Sequence, residues 1–326
     1  MGEKTEMTDD IPTFKMELPD AGPDTAPDTG HGSPPAEIHI DEALVRSLLV
    51  AQHPDLAEQP LSLLDNGFDN VMFRLGETFI VRLPRRQASV NCLVNEQAWL
   101  PTLAPSLPLP ISAPMRVGTA QAGYPWVWSI LPWIEGQTAD IEPIASSEAA
   151  PLANFLNALH KPAPTNAPTN PYRGVPIAER TSINEERMAR VFEKTDTITP
   201  YIIQAWQRAL AAPEETSPTW LHGDMHARNV LVKEGRIAAI IDWGDITAGD
   251  RASDLACIWS LLGDQKARAD AMYIYHDANP DLWARAMGWA VMYGVMLLDS
   301  GLIDHPRHAE MGRLILERLS ADVANT

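Results

Sequence analysis

Residues Trp220 to Asp254 read W-L-H-G-D-M-H-A-R-N-V-L-V-K-E-G-R-I-A-A-I-I-D-W-G-D-I-T-A-G-D-R-A-S-D. His222-Gly223-Asp224 opens the stretch, and Asn229 follows Asp224 by five residues. Two short apolar runs come next, Asn229 to Val232 and Ile237 to Ile241, separated by Lys233-Glu234-Gly235-Arg236. Apolar runs broken by a Gly-containing polar turn predict a β-hairpin. The second run delivers Asp242 at its end, so the hairpin carries Asp224, Asn229 and Asp242 towards one region.

The chemistry of that trio is specific. A carboxylate beside a hydroxyl can orient it and accept its proton. An amide oxygen and a second carboxylate form a hard-oxygen pair suited to Mg²⁺ bearing nucleotide phosphates. Together they describe a phosphoryl-transfer site, where the protein positions reactants and neutralises charge. Two other readings use the same residues. One is a turn with solvated acids. The other is a hydrolytic metal centre built from His222, Asp224, His226 and Asp242, three ligand types close together. A chance motif seldom arrives with a fitting hairpin around it, which favours phosphoryl transfer.

The segment resembles the aminoglycoside phosphotransferase family, small-molecule kinases with a protein-kinase-like fold. The family's H-G-D-x-x-x-x-N loop is matched by His222, Gly223, Asp224 and Asn229, and its kinase-like D-x-G by Asp242-Trp243-Gly244. The trailing G-D-x-x-x-D-L is matched by Gly249, Asp250, Asp254 and Leu255. The resemblance implies an α+β, bilobal fold. A small antiparallel β-sheet lobe with one main helix (37–133) would bind nucleotide, and a larger, mostly helical lobe (134–326) would carry the catalytic loop and acceptor site. It makes Asp224 the catalytic carboxylate and Asn229 and Asp242 the Mg²⁺ ligands, with ATP or GTP as donor. His222 becomes a loop-holding residue, Asp250 and Asp254 become braces, and Asp245 either supports the loop or faces substrate.

Outward from this centre, composition sets bounds. The chain has 326 residues, 45% of them hydrophobic, enough for two packed lobes. A net charge of −18 argues against nucleic acid, whose phosphates attract basic surfaces. Acidity fits a cationic substrate but serves solubility equally. Cys92 and Cys257 lack metal-ligand spacing, which predicts a reducing, cytoplasmic setting without disulfides. No apolar leader is visible at the N-terminus. Gly288 to Leu298, the longest apolar run, is too short to span a bilayer. Residues 1–36, rich in Asp, Glu, Pro, Thr and Gly, predict a disordered tail. Ile11, Phe14, Met16 and Leu18 offer one short strand within it.

A helix is expected after Asp41, and strands at 61–64, 70–75 and 78–83. Gly67 lies in the first turn: an ordinary hairpin turn by itself, a phosphate-covering loop by resemblance. Alternation on the third strand sets Phe79, Val81 and Leu83 on one face and Arg82 opposite. The resemblance puts Arg82 where kinases carry a phosphate-contacting lysine; by itself it reads as a surface cation. A helix from Ser89 to Leu100 carries Glu96, which the resemblance pairs with Arg82. Residues 101–114 predict an extended connection, and 116–120 and 124–130 two more strands. By resemblance the backbone near Leu131 and Trp133 forms the nucleobase hinge, although Pro132 lacks a donor. Trp126, Trp128 and Trp133 read mainly as core. Helices are expected near 146–159, 181–195 and 198–211, then from 254 to 320, with His160 supporting the catalytic loop.

The short interval between Asp242 and Asp254 favours a small acceptor over a protein. The resemblance makes that acceptor a hydroxylated molecule, either an aminoglycoside, a macrolide or a metabolite. Val81 to Arg86 is also similar to macrolide-phosphorylating members. A nucleotide-binding module without catalysis is the remaining alternative, and Arg82 is its one support.

Overall fold

The computed structural model describes residues 35–325 apart from Phe68, Ala122 and the side chain of Asp304. The expectations for residues 1–34 lie outside the described residues.

Helix α1 (Glu42–Gln52) starts where Asp41 Oδ1 accepts the Leu44 N–H at 2.8 Å, a cap that stabilises a helix by about 1 kcal/mol. Strands β1 (Leu61–Asn66), β2 (Asn70–Leu75) and β3 (Phe79–Pro84) follow. Helix α2 (Val90–Leu103) comes next, then β4 (Arg116–Gly118) and β5 (Trp128–Pro132). The sheet is antiparallel with order β1-β2-β3-β5-β4. Val45, Leu48, Leu75, Val81, Leu83, Trp128 and Ile130 form its apolar core, mostly against α1.

Two expectations are corrected here. Residues 101–114 do not begin as extended chain. Pro101 removes one donor near the end of α2, yet the helix continues to Leu103, with the Ala104 N–H closing on the Leu100 carbonyl. The strand expected at 124–130 begins only at Trp128. Tyr124 makes an isolated bridge to Gln121, and its hydroxyl donates to the Pro84 carbonyl inside the core.

The second core is larger. It is built from β6 (Gln137–Thr138), α3 (Ala149–Leu159), α4 (Thr181–Lys194), α5 (Pro200–Ala211), β7 (Thr219–Leu221), β8 (Val230–Lys233), β9 (Arg236–Ile240), β10 (Thr247–Gly249), α6 (Ala252–Leu255), α7 (Cys257–Leu261), α8 (Gln265–Ile274), α9 (Pro280–Asp304) and α10 (Pro306–Ala324). Phe155, Trp243, Trp259 and Trp289 fill its centre, and Leu100 and Ile111 from the preceding segment join it. These elements make an α+β, bilobal, kinase-like architecture.

Helix α9 was not legible as one element. Its residues 280–303 are long and apolar enough to cross a membrane by length and composition, but 72% of an 18-residue apolar window within them is buried inside the protein. Asn279 caps it and Pro280 opens it, where a missing N–H costs nothing. It packs on α10 at very close range. A methyl group on Gly312 would lie 2.4 Å from the Gly294 carbonyl oxygen and 2.5 Å from the Leu298 nitrogen. Gly312→Ala is therefore expected to push the two helices apart and lower unfolding stability by about 1–3 kcal/mol. Denaturant unfolding measures this, and an unchanged midpoint would show that the helices separate without penalty.

Candidate active site

The hairpin forms through a tight turn. Lys233 pairs with Arg236, and Glu234 (φ 54°) and Gly235 (φ 74°) both take left-handed backbone, the geometry whose twist matches two antiparallel strands. The ladder runs on past β9, because the Ile241 N–H donates to the Asn229 carbonyl at 2.9 Å. Asn229 and Asp242 are thereby held at neighbouring strand ends. Asp242 also has a positive φ of 59°, uncommon for a residue with a side chain, and the chain turns sharply there.

The His222-Gly223-Asp224 loop is fixed from behind by Asp254, which is 0% exposed. Its two carboxylate oxygens accept the His222 N–H at 2.7 Å and the Gly223 N–H at 2.9 Å. His160 Nε2 lies 3.4 Å from the same carboxylate, and its Nδ1 meets the Tyr275 hydroxyl at 2.8 Å. Gly223 has φ 87°, and a Cβ there would lie 2.3 Å from the Asp245 carbonyl oxygen, so only glycine fits. His222 Nδ1 accepts the Asp224 N–H at 3.2 Å, which assigns the proton to Nε2, 3.0 Å from the Ile241 carbonyl. This imidazole joins the loop to the strand that delivers Asp242.

Asp224 emerges among three partners. Asn229 Nδ2 donates to its carbonyl at 2.8 Å and lies 3.4 Å from Oδ2. His226 Nε2 is 3.3 Å from Oδ2, while His226 Nδ1 accepts the Arg228 N–H. Arg173 Nη2 donates to Oδ1 at 2.8 Å. Burial alone would raise the Asp224 carboxyl, but Arg173 and His226 outweigh it and hold the group well below the usual carboxylate range. Arg173 Nε is also 3.5 Å from Asp245 Oδ2, and Asn170 Nδ2 donates to Asp245 Oδ1 at 2.8 Å. Burial raises the Asp245 carboxyl despite these contacts. The Arg173 guanidinium lies 5.3 Å from the Tyr293 ring, whose hydroxyl donates to the Gly223 carbonyl at 3.0 Å.

On the sheet side, Arg82 Nη1 donates to both Glu96 oxygens at 2.8 and 3.0 Å, and Nη2 donates to Asp242 Oδ1 at 2.9 Å. In the orientation that gives it donors, the Asn70 amide oxygen accepts from Nη2 and Nε at 3.0 and 3.1 Å. Arg82 is buried, so the surface-cation reading is overturned: Glu96, 1% exposed, draws it inward. Burial raises the Glu96 carboxyl to about 7 in spite of Arg82. Every N–H of the guanidinium is engaged within the protein, leaving none directed at a phosphate.

The other nucleotide-contact expectations meet similar limits. The Gly67 N–H donates to the Asn70 carbonyl at 3.0 Å, and the Gly67 carbonyl accepts from Arg85 at 2.7 Å. Leu131 is on β5 opposite Ile80. The Trp133 N–H, however, donates to the Thr78 carbonyl at 2.7 Å, and Arg74 lies 3.9 Å over the Trp133 ring. With Pro132 also lacking a donor, a base edge finds no N–H at residues 132 and 133.

Asn229 and Asp242 fit a hard divalent cation. With Nδ2 of Asn229 bound to Asp224 and Oδ1 of Asp242 bound to Arg82, Asn229 Oδ1 and Asp242 Oδ2 accept no hydrogen bond from the described residues. Two oxygens suffice for Mg²⁺, which retains waters and takes substrate phosphates. The alternative hydrolytic centre loses its ligand set. Among the described residues, no group of three or more His, Cys, Asp or Glu side chains can hold a metal, and His222 faces the Ile241 carbonyl instead.

Comparison with known proteins gives a concordant answer. Residues 60–289 match the family described as the Phosphotransferase enzyme family (APH). This chain belongs to that family. An aminoglycoside 3'-phosphotransferase of Escherichia coli is 29% identical over 115 residues, spanning 35% of this chain and 42% of the relative. The GDP complex of an aminoglycoside 2'-phosphotransferase-IIIa superposes with TM-score 0.63 at 20% identity, covering 88% of this chain and 99% of the other. A macrolide 2'-phosphotransferase from Brachybacterium faecium gives TM-score 0.54 at 21% identity over 82% and 97% of the two chains. At these identities the two structures establish the shared fold.

One residue of this site was missed in the sequence. Arg173 is 51 positions from Asp224 and belongs to no motif. Its placement follows from Gly174 (φ 65°), whose carbonyl accepts the Asp250 N–H at 2.7 Å and which packs too closely on Gly249 and Leu221 for a side chain. A lone Arg-Gly in a Pro- and Asn-rich loop was the only available hint. Asp254→Asn is expected to replace one acceptor with an amide N–H that faces a backbone N–H, lowering stability by about 1–3 kcal/mol. Thermal unfolding of the variant tests it; wild-type stability would mean that the loop does not depend on this carboxylate.

Proposed function

We propose that this phosphotransferase moves the γ-phosphoryl group of ATP or GTP to a hydroxyl of a small molecule, with Asp224 as its catalytic carboxylate. The observation that carries the reading is the convergence of Asp224, Asn229 and Asp242 through the Ile241–Asn229 backbone bond and the Asn229–Asp224 contacts. We assign residues 37–133 to nucleotide binding and 134–326 to catalysis and acceptor binding. The free thiols Cys92 and Cys257 fit a reducing, cytoplasmic setting.

In this mechanism the acceptor hydroxyl hydrogen-bonds to the Asp224 carboxylate. Held well below the usual carboxylate range, Asp224 is ionised and weakly basic. It therefore orients the oxygen first and takes the proton late, as the new P–O bond forms and the nucleoside diphosphate departs. Asn229 Oδ1 and Asp242 Oδ2 would hold Mg²⁺, which supplies charge neutralisation on the nucleotide phosphates. Arg82 and Glu96 act on Asp242: the guanidinium fixes Oδ1 and so aims Oδ2. Gly67 shapes the turn above the nucleotide, and Leu131 and Trp133 frame the base through carbonyl and ring surfaces.

The names of the relatives, aminoglycoside and macrolide phosphotransferases, bring those two antibiotic classes into the acceptor panel. Nucleoside diphosphate release, followed with Mg²⁺ and such a panel, tests the activity. Asp224→Asn is expected to reduce kcat by about 10²–10⁴-fold, the usual worth of a positioned acid–base group, with nucleotide affinity nearly unchanged. Wild-type turnover by the variant would remove Asp224 from the mechanism.

A further inference from the structure

The loop from Pro168 to Gly174 is pinned at both ends. The Ala248 N–H donates to the Pro168 carbonyl at 2.8 Å, and the Asp250 N–H donates to the Gly174 carbonyl at 2.7 Å. The Thr247 hydroxyl adds a bond to the Pro168 carbonyl at 3.1 Å. Both ends are thereby tied to a much shorter stretch, β10 and the residue after it. The segment between them loops out, and it carries Asn170 and Arg173. Gly174 (φ 65°) sets the exit, where a Cβ would lie 2.4 Å from Leu221 Cδ1.

The Asp224 carboxylate is held unevenly. It turns about a soft, roughly two-fold torsion, so its plane is set by what each oxygen touches. Among the described residues, Oδ2 has long contacts, with Asn229 Nδ2 at 3.4 Å and His226 Nε2 at 3.3 Å. Oδ1 takes a short, charge-assisted bond from Arg173 Nη2 at 2.8 Å. The guanidinium is itself braced. Its Nε lies 3.5 Å from Asp245 Oδ2, and Asn170 Nδ2 holds Asp245 Oδ1 at 2.8 Å. Tyr293, whose ring is 5.3 Å from the guanidinium, donates its hydroxyl to the Gly223 carbonyl at 3.0 Å, just before Asp224.

On the phosphotransfer reading, we infer that Arg173 is the positioning residue of the reaction: it fixes the plane of the Asp224 carboxylate with Oδ2 turned to the Asn229 side, where the acceptor hydroxyl meets the phosphoryl group. Asp245 acts one step further back, by holding Arg173. The effect of Arg173 on the reaction passes through Asp224.

Radiolabelled Mg²⁺-ATP and Mg²⁺-GTP, with kanamycin, erythromycin or water as acceptor, give the rates. Arg173→Met is expected to lower kcat about 10–100-fold with nucleotide KM nearly unchanged, the cost of a misplaced catalytic group. Arg173→Lys is expected to recover part of the loss, since an ammonium supplies the charge without the planar fork. Asp245→Asn is expected to lower kcat less than Arg173→Met does. The deciding comparison is Arg173→Met combined with Asp224→Asn. The double variant is expected to match Asp224→Asn within about twofold, because residues that act as a unit are not additive. Losses that multiply would overturn the inference, since Arg173 would then act on the phosphate, the acceptor or the fold. So would wild-type kcat in an Arg173→Met protein that keeps the wild-type melting temperature. A crystal structure of Arg173→Met reads the same point without turnover. Asp224 Oδ2 is expected to leave its contacts with His226 and Asn229, and an unmoved carboxylate would overturn the inference. Where Arg173→Met prevents folding, Arg173→Lys takes its place in the double variant and the crystal, with the same outcomes expected in smaller measure. If the wild-type protein transfers phosphate to none of these acceptors, the phosphotransfer reading fails, and the variant structure alone decides whether Arg173 sets this carboxylate.

Discussion

A single buried carboxylate fixes the geometry of this site. Asp254 accepts two consecutive backbone N–H groups, from His222 and Gly223, and has no access to water. A carboxyl group in that position persists only when hydrogen bonds replace its hydration. The two donors define the path of the chain through Gly223, whose left-handed backbone then turns Asp224 outward. Asp250 extends the same support. It accepts the Ala252 N–H and pairs with the buried Arg285 at 2.7 Å, while its own N–H binds the Gly174 carbonyl that places Arg173. Helix α6, through Asp254, and the loop before it, through Asp250, thus support the carboxylate and its guanidinium partner together.

The site gathers Glu96, Asp224, Asp242 and Asp245 near one another, which like-charge repulsion opposes. Two arginines make the arrangement tenable. Arg82 bridges Glu96 and Asp242 across the two cores, and Arg173 bridges Asp224 and Asp245 within the larger one. Each guanidinium serves two carboxylates because its N–H groups point in several directions within one plane. Removing either one leaves two neighbouring acids without the cation between them, so these contacts constrain the fold as well as the chemistry.

Much of this was legible in the sequence, for identifiable reasons. The hairpin declared itself through apolar runs around Glu234-Gly235, and its strand ends dictated where Asn229 and Asp242 go. Arg82 and Glu96 met because a strand and the helix after it pack locally. The hidden parts depend on tertiary contact. Arg173 is set by the close fit of Gly174 on Gly249, which leaves no periodic trace. The engagement of the Trp133 and Gly67 N–H groups depends on strand register and turn closure, which composition does not encode. Residues 101–106 misled because proline density suggests extended chain, whereas Pro101 costs α2 a single bond near its end.

Arg82 explains why this site departs from a lysine-based phosphate grip. A lysine ammonium has three donors on a flexible stem and shifts easily between a carboxylate and a phosphate. The planar guanidinium here holds Glu96 through one nitrogen, Asp242 through another, and Asn70 through the remaining N–H groups. Such a group gains rigidity and loses reach. On the proposed reading, phosphate charge would be met by a metal held by Asn229 and Asp242, with the arginine keeping that ligand aimed. An arginine at this position would thereby leave neutralisation to an ion held by the protein, and it retains the Glu96 pairing that joins the helix to the sheet.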